Sequence, residues 1–368
     1  MKHCDKRAVT VNVTSRCNLR CTYCMASSPD EQANPLVVDR DFALAGIRDS
    51  IAGHPTGFKA DRLRFFSPGE PTQDMDTIIA CVAYARSLLP DITLELQTNG
   101  VFPSPEARDW IADTFDVVWF SLDGPASVND AYRPGWDGLG RTREAEANLA
   151  AVMAKTRVGV RSTLVEETLD SQDSLVAYYH GLGVRHLCVN PLIRPIRRND
   201  HGATDVNLSS QMRFAKGFVA AYAVAERLGV EFMNSMTFNF DEKTSVSCRS
   251  CLPMPQMNPD GSVSSCDMAM FADTKEELRH FIYGQWDPDS KTIRYDQDKI
   301  ARLQNHRLEN LPKCKTCPIG PYCAGGCIGR RAYQTGTLED PLPEICAATI
   351  YLAKHLPLGR ERITSTHP

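Results

Sequence analysis

Hydrophobic and polar positions in the first half of the chain alternate between two patterns. The β-rich runs AVTVNV, RLRFF, ITLEL, DVVWF, RVGVRSTLV and RHLCVN predict strands, and helical periodicity fills the intervals around 40–53, 73–89, 104–114, 141–155 and 170–182. Six strands joined by helical crossovers imply a parallel α/β sheet, either a partial barrel or an open doubly wound sheet. The two differ in strand order, which periodicity does not give. A connection, RPIRRNDHGATD, then leads to a helix near 208–228 and an apolar-aromatic stretch, EFMNSMTFNF, at 231–240. From 248 onward the composition shifts to Cys, Pro and Gly, with few strand or helix patterns. Such a segment is too poor in continuous apolar surface to hold by burial alone, so its cysteines are expected to fold it by binding metal.

Composition narrows the class. The 368 residues are 42% hydrophobic, enough for one large domain and a smaller module, and 41 basic against 45 acidic residues offer no global attraction for nucleic acid or an anionic membrane. The basic run RPIRRND at 194–200 reads as a solvated connection. No segment approaches the roughly 18 uninterrupted apolar residues that span a bilayer, and MKHCDKRAVT has no apolar signal core. A cytoplasmic protein with no membrane or nucleic-acid partner is expected.

The 14 cysteines are unevenly placed: three at 17–24, eight between 248 and 346, and Cys4, Cys81 and Cys188 apart. Cys81 and Cys188 sit in apolar runs and read as buried free thiols. SRCNLRCTYC sets Cys17, Cys21 and Cys24 in the spacing C-x3-C-x2-C, three thiolates with no fourth nearby. Four ligands normally close a zinc or four-iron site, so three leave one metal corner open for a reactant. Downstream, Cys248, Cys251, Cys266, Cys314, Cys317, Cys323, Cys327 and Cys346 include the dense run C-x2-C-x5-C-x3-C and suffice for two complete four-cysteine sites. Zinc is the alternative for this half, since zinc ribbons also use paired C-x2-C units.

The remaining unusual residues follow strands. The cysteine triad follows the first, SPGEP (67–71) the second, QTNG (97–100) the third and SLDG (121–124) the fourth. Carboxyl ends of parallel strands are where barrels and open α/β sheets place ligand sites, so the four loops are expected to share one.

With these motifs the sequence resembles the radical S-adenosylmethionine (SAM) enzymes that carry a C-terminal SPASM extension. Cys17, Cys21 and Cys24, with Tyr23 before the third cysteine, are similar to the family's cluster loop. The series Cys251, Gly261, Cys266, then Cys314, Cys317, Cys323, Cys327 and Cys346, is similar to the SPASM pattern. The resemblance spans roughly 8–350 and implies a partial (β/α)6 barrel at 8–205, a bridging helix and linker at 206–247, a SPASM domain at 248–350 and a tail at 351–368. It implies three [4Fe-4S] clusters: one on the triad, one on Cys248, Cys251, Cys266 and Cys327, and one on Cys314, Cys317, Cys323 and Cys346. Gly69 and Glu70 look like the loop that receives the SAM amino group, with Pro68 in place of the usual first glycine. Tyr23, Asn99, Ser121, Asp123 and Arg133 resemble further SAM contacts.

The implied chemistry is reductive cleavage of SAM to methionine and a 5′-deoxyadenosyl radical, which takes hydrogen from an unactivated carbon. Two fully ligated auxiliary clusters suit electron removal, hence net oxidation. Asp267, directly after Cys266, is the candidate base, at a position that resembles the catalytic aspartate of the anaerobic sulfatase-maturating enzymes. The favoured reading is oxidative modification of a ribosomally made peptide, by cross-link or dehydrogenation. The alternatives are formylglycine formation in a sulfatase, and dehydrogenation or epimerisation of a small molecule such as an aminoglycoside or sugar. A non-enzymatic metal scaffold or electron carrier would leave the four loops unexplained. A flavodoxin- or ferredoxin-type reductant is implied, and the first strand begins too early for a leader-binding module, so a separate leader-peptide-binding protein would serve a peptide substrate. Substrate contacts are expected near 161–165, 190–193 and 234–240, where Arg161, Asn190 and Asn234 lie.

Overall fold

The computed structural model describes residues 7–24, 29–193 and 210–359. The basic run at 194–200, Cys4 and the tail beyond 359 lie outside them. All six expected strands form: β1 (Ala8–Asn12), β2 (Arg62–Phe66), β3 (Thr93–Thr98), β4 (Val117–Ser121), β5 (Arg157–Leu164) and β6 (His186–Pro191). They pair in parallel and in sequence order. A doubly wound sheet reverses its order at a switch point, so the absence of a reversal excludes that alternative. The intervening helices Arg40–Ala52, Met75–Leu88 and Pro105–Thr114 start where the side chains of Asp39, Asp74 and Ser104 cap their first backbone N–H groups. Thr142–Met153 and Gln172–Gly181 complete the crossovers.

Alternation along the strands gives the sheet two unlike faces. Leu63, Phe65, Leu94, Leu96, Phe120, Val160 and Val189 pack under the helices in one core with Phe42, Leu149 and Tyr179. Arg64, Glu95, Gln97, Ser121, Arg161 and Asn190 occupy the alternate positions and give the opposite face its polar groups. Trp119 on that face packs with Val117, Cys188 and Met233. Cys188 and Cys81 are fully buried free thiols, as expected.

Two parts of the sequence reading need correction. The stretch at 231–240 contains a seventh parallel strand, β7 (Glu231–Met233), beside β6 after the helix Gln211–Leu228. The segment from 248 is also far from patternless. It contains β8 (Gln256–Met257), β9 (Ser262–Ser264), β10 (Ile282–Asp287) and β11 (Thr292–Tyr295). β8 lies parallel to β1 and the other three follow antiparallel, so a single eleven-stranded sheet runs through both halves. Met257, Val263, Phe281, Tyr283, Trp286 and Ile293 are buried in the same core as Phe42, whose ring centroid lies 5.5 Å from that of Trp286. Burial therefore does contribute to holding this segment. β8, β9 and β11 are only 2, 3 and 4 residues long, too short for alternation to register in sequence, and β8 gains order by covering the backbone edge of β1. Asn12 Nδ2 donates to Asn258 Oδ1 at 2.7 Å, and Arg249 Nη1 to Thr10 Oγ1 at 2.6 Å, across that junction. The final helix, Pro343–His355, carries Cys346 and runs past the boundary expected at 350. Among the described residues no helix is long and apolar enough to cross a membrane.

Candidate active site

The cysteine triad lies in the loop after β1 and is tied down from several directions. Arg20 N donates to Pro134 O at 2.8 Å, Thr22 N to Tyr132 O at 2.9 Å, and the Trp136 indole to Cys17 O at 3.0 Å. The loop after β2 packs directly beneath: Gly69 N donates to Thr14 O at 3.1 Å and Glu70 N to Arg16 O at 2.8 Å. A Cβ on Gly69 would stand 2.2 Å from Arg16 O and 2.6 Å from the Ser15 carbonyl, so glycine alone allows the two backbones to approach this closely.

Glu70 is buried and fully used. Its Oε1 accepts from Thr72 N, Thr72 Oγ1 and Thr98 Oγ1 at 3.2, 2.8 and 2.9 Å, and its Oε2 from Asn99 N at 2.7 Å. Burial pushes this carboxyl upward and the donors oppose the rise. The carboxylate is thus a brace between the ends of β2 and β3. Asn99 continues the chain of contacts, donating to Asn18 Oδ1 at 2.7 Å and lying 3.9 Å from Cys17 Sγ. Three residues read separately in sequence meet at the end of β4: the Tyr23 hydroxyl and Arg133 Nε both donate to Asp123 Oδ2, the latter at 2.8 Å. The Arg133 guanidinium also sits 5.5 Å from the Tyr23 ring centroid. Ser121 Oγ accepts from Gln97 Nε2 at 3.4 Å. The four strand-end loops therefore form one connected network.

The downstream cysteines gather into two groups. Cys314, Cys317, Cys323 and Cys346 line one cavity of about 240 Å³, which Cys327 also borders. Arg331 Nη2 reaches Cys314 Sγ at 3.3 Å. Cys248 and Cys251 hydrogen-bond to each other, both Cys266 and Cys327 feel the charge of Cys248, and Cys266 feels that of Cys327 as well. A Cβ on Gly329 would lie 2.8 Å from Cys266 Sγ, a measure of how closely the two segments approach. None of the described cysteines is joined in a disulfide. Burial pushes the Cys21 and Cys323 thiols up to about 12, and Cys17 and Cys266 are raised by burial and then by neighbouring sulfur. Such thiols become thiolates when a positive centre displaces their protons. Among the described residues no group of three or more Cys, His, Asp or Glu converges on a point that one metal ion would occupy.

Between the triad and the downstream segment lies a cavity of about 440 Å³. Tyr23 and Cys24 border it, as do Asp267, Met268, Cys327 and Arg330, with Gln97, Ser121, Arg161, Asn190 and Phe238 among its walls. Residues 161–163 and 190–193 line it as expected. From the third expected stretch Ser235 and Phe238 contribute, whereas Asn234 is fully buried away from it.

Asp267 sits in this cavity in unexpected company. Its two oxygens accept from Arg64 Nη1 and Nη2 at 3.2 Å each, and Oδ1 also accepts from Arg249. Burial alone would raise this carboxyl, but Arg249 and Arg64 outweigh it and hold the group well below the usual carboxylate range. A carboxylate so stabilised is a weak base. Arg64 and Arg249 escaped the sequence reading. The available signal for Arg64 was a charged residue at an alternate position of an otherwise apolar strand, RLRFF.

No protein-family model matches the chain. In sequence it is 28% identical to the pre-heme d1 synthase of Dinoroseobacter shibae over 93% of this chain and 87% of that protein. It is 21% identical to the cysteine-type anaerobic sulfatase-maturating enzyme of Clostridium novyi, over 85% of each. In structure it is similar to anSMEcpe with bound AdoMet and Cp18Cys peptide, with a TM-score of 0.71 at 17% identity over 95% of this chain and 96% of that one. It is also similar to Streptococcus suis SuiB bound to precursor peptide SuiA, with a TM-score of 0.61 at 13% identity over 92% and 75%. The fold is that of the radical SAM/SPASM enzymes, and the sequence relatives include radical SAM enzymes. These likenesses support the recognition made from the motifs: the chain shares its fold with the radical SAM/SPASM enzymes and is similar in sequence to radical SAM enzymes.

Proposed function

We propose that the chain oxidatively modifies a peptide held in the cavity between the triad and the downstream cysteines. The observation that carries this reading is the cavity itself, which brings Tyr23 and Cys24 into one lining with Asp267 and Cys327. In this reading the sheet is a partial (β/α)6 barrel closed by a SPASM domain. When bound, SAM and a four-iron cluster supply a carbon-centred radical able to take hydrogen from an unactivated carbon. Cys17, Cys21 and Cys24 would hold that cluster, and the network of Glu70, Asn99, Tyr23, Asp123 and Arg133 would hold SAM. Cys248, Cys251, Cys266 and Cys327 would hold the first auxiliary cluster and Cys314, Cys317, Cys323 and Cys346 the second.

The downstream cysteines fit a cluster better than zinc. A zinc ion draws its thiolates to about 2.3 Å from one point. Here the second group surrounds a cavity and no single-ion convergence occurs among the described residues. Asp267 lines the cavity, holds Arg64 and Arg249 behind it, and receives a substrate proton only if one of those guanidiniums withdraws.

The peptide complexes of the two structural neighbours support a peptide partner here. A small-molecule substrate is the second reading, favoured by the near full-length match to pre-heme d1 synthase. The test is mass spectrometry of peptide and small-molecule fractions of host extract after anaerobic incubation with reconstituted enzyme, SAM and dithionite. A peptide that loses two hydrogens, with matching release of 5′-deoxyadenosine, is expected. Loss of hydrogen confined to the small-molecule fraction would overturn the peptide reading in favour of the second.

A further inference from the structure

The arginines around the cavity are unequally matched. Arg133 pairs with Asp123, and Arg64 and Arg249 share Asp267. Arg161 and Arg330 line the cavity together with Arg133, yet among the described residues neither has a carboxylate within ion-pair distance. Arg161 donates to the neutral Gln97 amide oxygen. Arg330 is 7% exposed, and its buried Nε has no hydrogen-bond partner. Burial lowers the proton affinity of both; at Arg161 the Arg64 charge adds to the fall while Cys188, Asp267 and Glu95 oppose it from a distance, and at Arg330 Cys327 and Glu344 oppose it.

A guanidinium largely withdrawn from water with no carboxylate at ion-pair distance is costly, and its planar fork matches a carboxylate in particular. From these two unmatched cations facing one cavity, we propose that the substrate carries a carboxylate held there by Arg161 and Arg330. This deepens the function proposed above and rests on the cavity being the substrate site, whether the carboxylate belongs to a peptide or to a small molecule. The nearest competing role for Arg330 is to balance the thiolate of Cys327, three residues before it.

The test uses anaerobically reconstituted, SAM-loaded enzyme and ligand-observed NMR. Glutarate and glutaramide are the probes, with a short capped peptide containing Glu or, as its control, Gln. Glutarate is expected to bind and glutaramide not, and Arg161→Gln and Arg330→Gln are each expected to weaken glutarate by about tenfold or more, the loss of a charge-assisted bond. Iron content and SAM affinity, measured alongside, should match the wild type. Equal binding of glutarate and glutaramide would overturn the assignment, as would unchanged glutarate affinity in both variants. Loss of iron from Arg330→Gln with unchanged glutarate affinity would assign that residue to the Cys327 site instead. If glutarate binds as expected but the Glu peptide binds no better than the Gln peptide, the carboxylate site stands and the peptide reading fails.

Discussion

Replacing Asp267 with Asn removes the charge that two buried guanidiniums share. Arg249 has a 7% exposed side chain and keeps its bond to the neutral Thr10 hydroxyl, while Arg64 retains Glu95 at 3.9 Å. Breaking a fully buried pair by deleting one partner costs about 3–5 kcal/mol. Asp267 is 39% exposed to the cavity, so water screens part of the loss, and about 2–3 kcal/mol remains. For a chain of this length that is a fall of roughly 3–4 °C in Tm, read by differential scanning calorimetry of the anaerobic holoenzyme at one scan rate. The pH dependence follows from the direction of the shift. A carboxyl held below its ordinary range contributes stability that is fully present above about pH 4 and is lost only as pH falls further, towards the depressed value. The same depression keeps Asp267 ionised throughout the neutral range, so kcat/KM should show no acidic limb belonging to it there. An Asp267→Asn protein with unchanged Tm but abolished turnover would refute the bracing role and make the carboxylate a base, as would an acidic limb near neutrality that the substitution removes.

Three further outcomes follow from the geometry. Gly69→Ala should force the Ser15–Arg16 backbone aside, costing roughly 1–3 kcal/mol and lowering iron retention at the triad, both measured on reconstituted protein. Iron analysis of the Cys17/Cys21/Cys24→Ala variant should fall from about twelve to about eight per chain; two zincs and little iron in the wild type would instead make the downstream half a zinc module. His306 is buried and pushed down to about 4 by desolvation, with Arg331 adding to it. It therefore folds neutral, and the stability it contributes is present above 6.5 and lost as pH falls towards about 4. His306→Phe should flatten that part of the stability profile in equilibrium denaturation; an unchanged slope would mean that another group carries it.

By itself the sequence determined the six strands, the crossover helices and the identity of the chemistry-bearing loops. These are local properties: apolar period distinguishes strand from helix over 5–18 residues, and cysteine spacing is written in adjacent positions. Tertiary structure decided strand order, because pairing partners as far apart along the chain as Glu95 and Val117 or Ala8 and Arg62 leave no mark in local periodicity. It also decided that β8–β11 continue the sheet from β1, since elements as short as Gln256–Met257 take their order from the edge they cover. The candidate site divides in the same way. Tyr23, Asp123 and Arg133 were each legible as loop residues, but their meeting on one carboxylate depends on β1 and β4 ending at the same side of the sheet. Asp267 was legible as the neighbour of Cys266, yet its charge state is set by Arg64 and Arg249, 203 positions before it and 18 before it. Proton affinity depends on distance through space rather than along the chain, so only the fold revealed a weak base where the sequence suggested a working one.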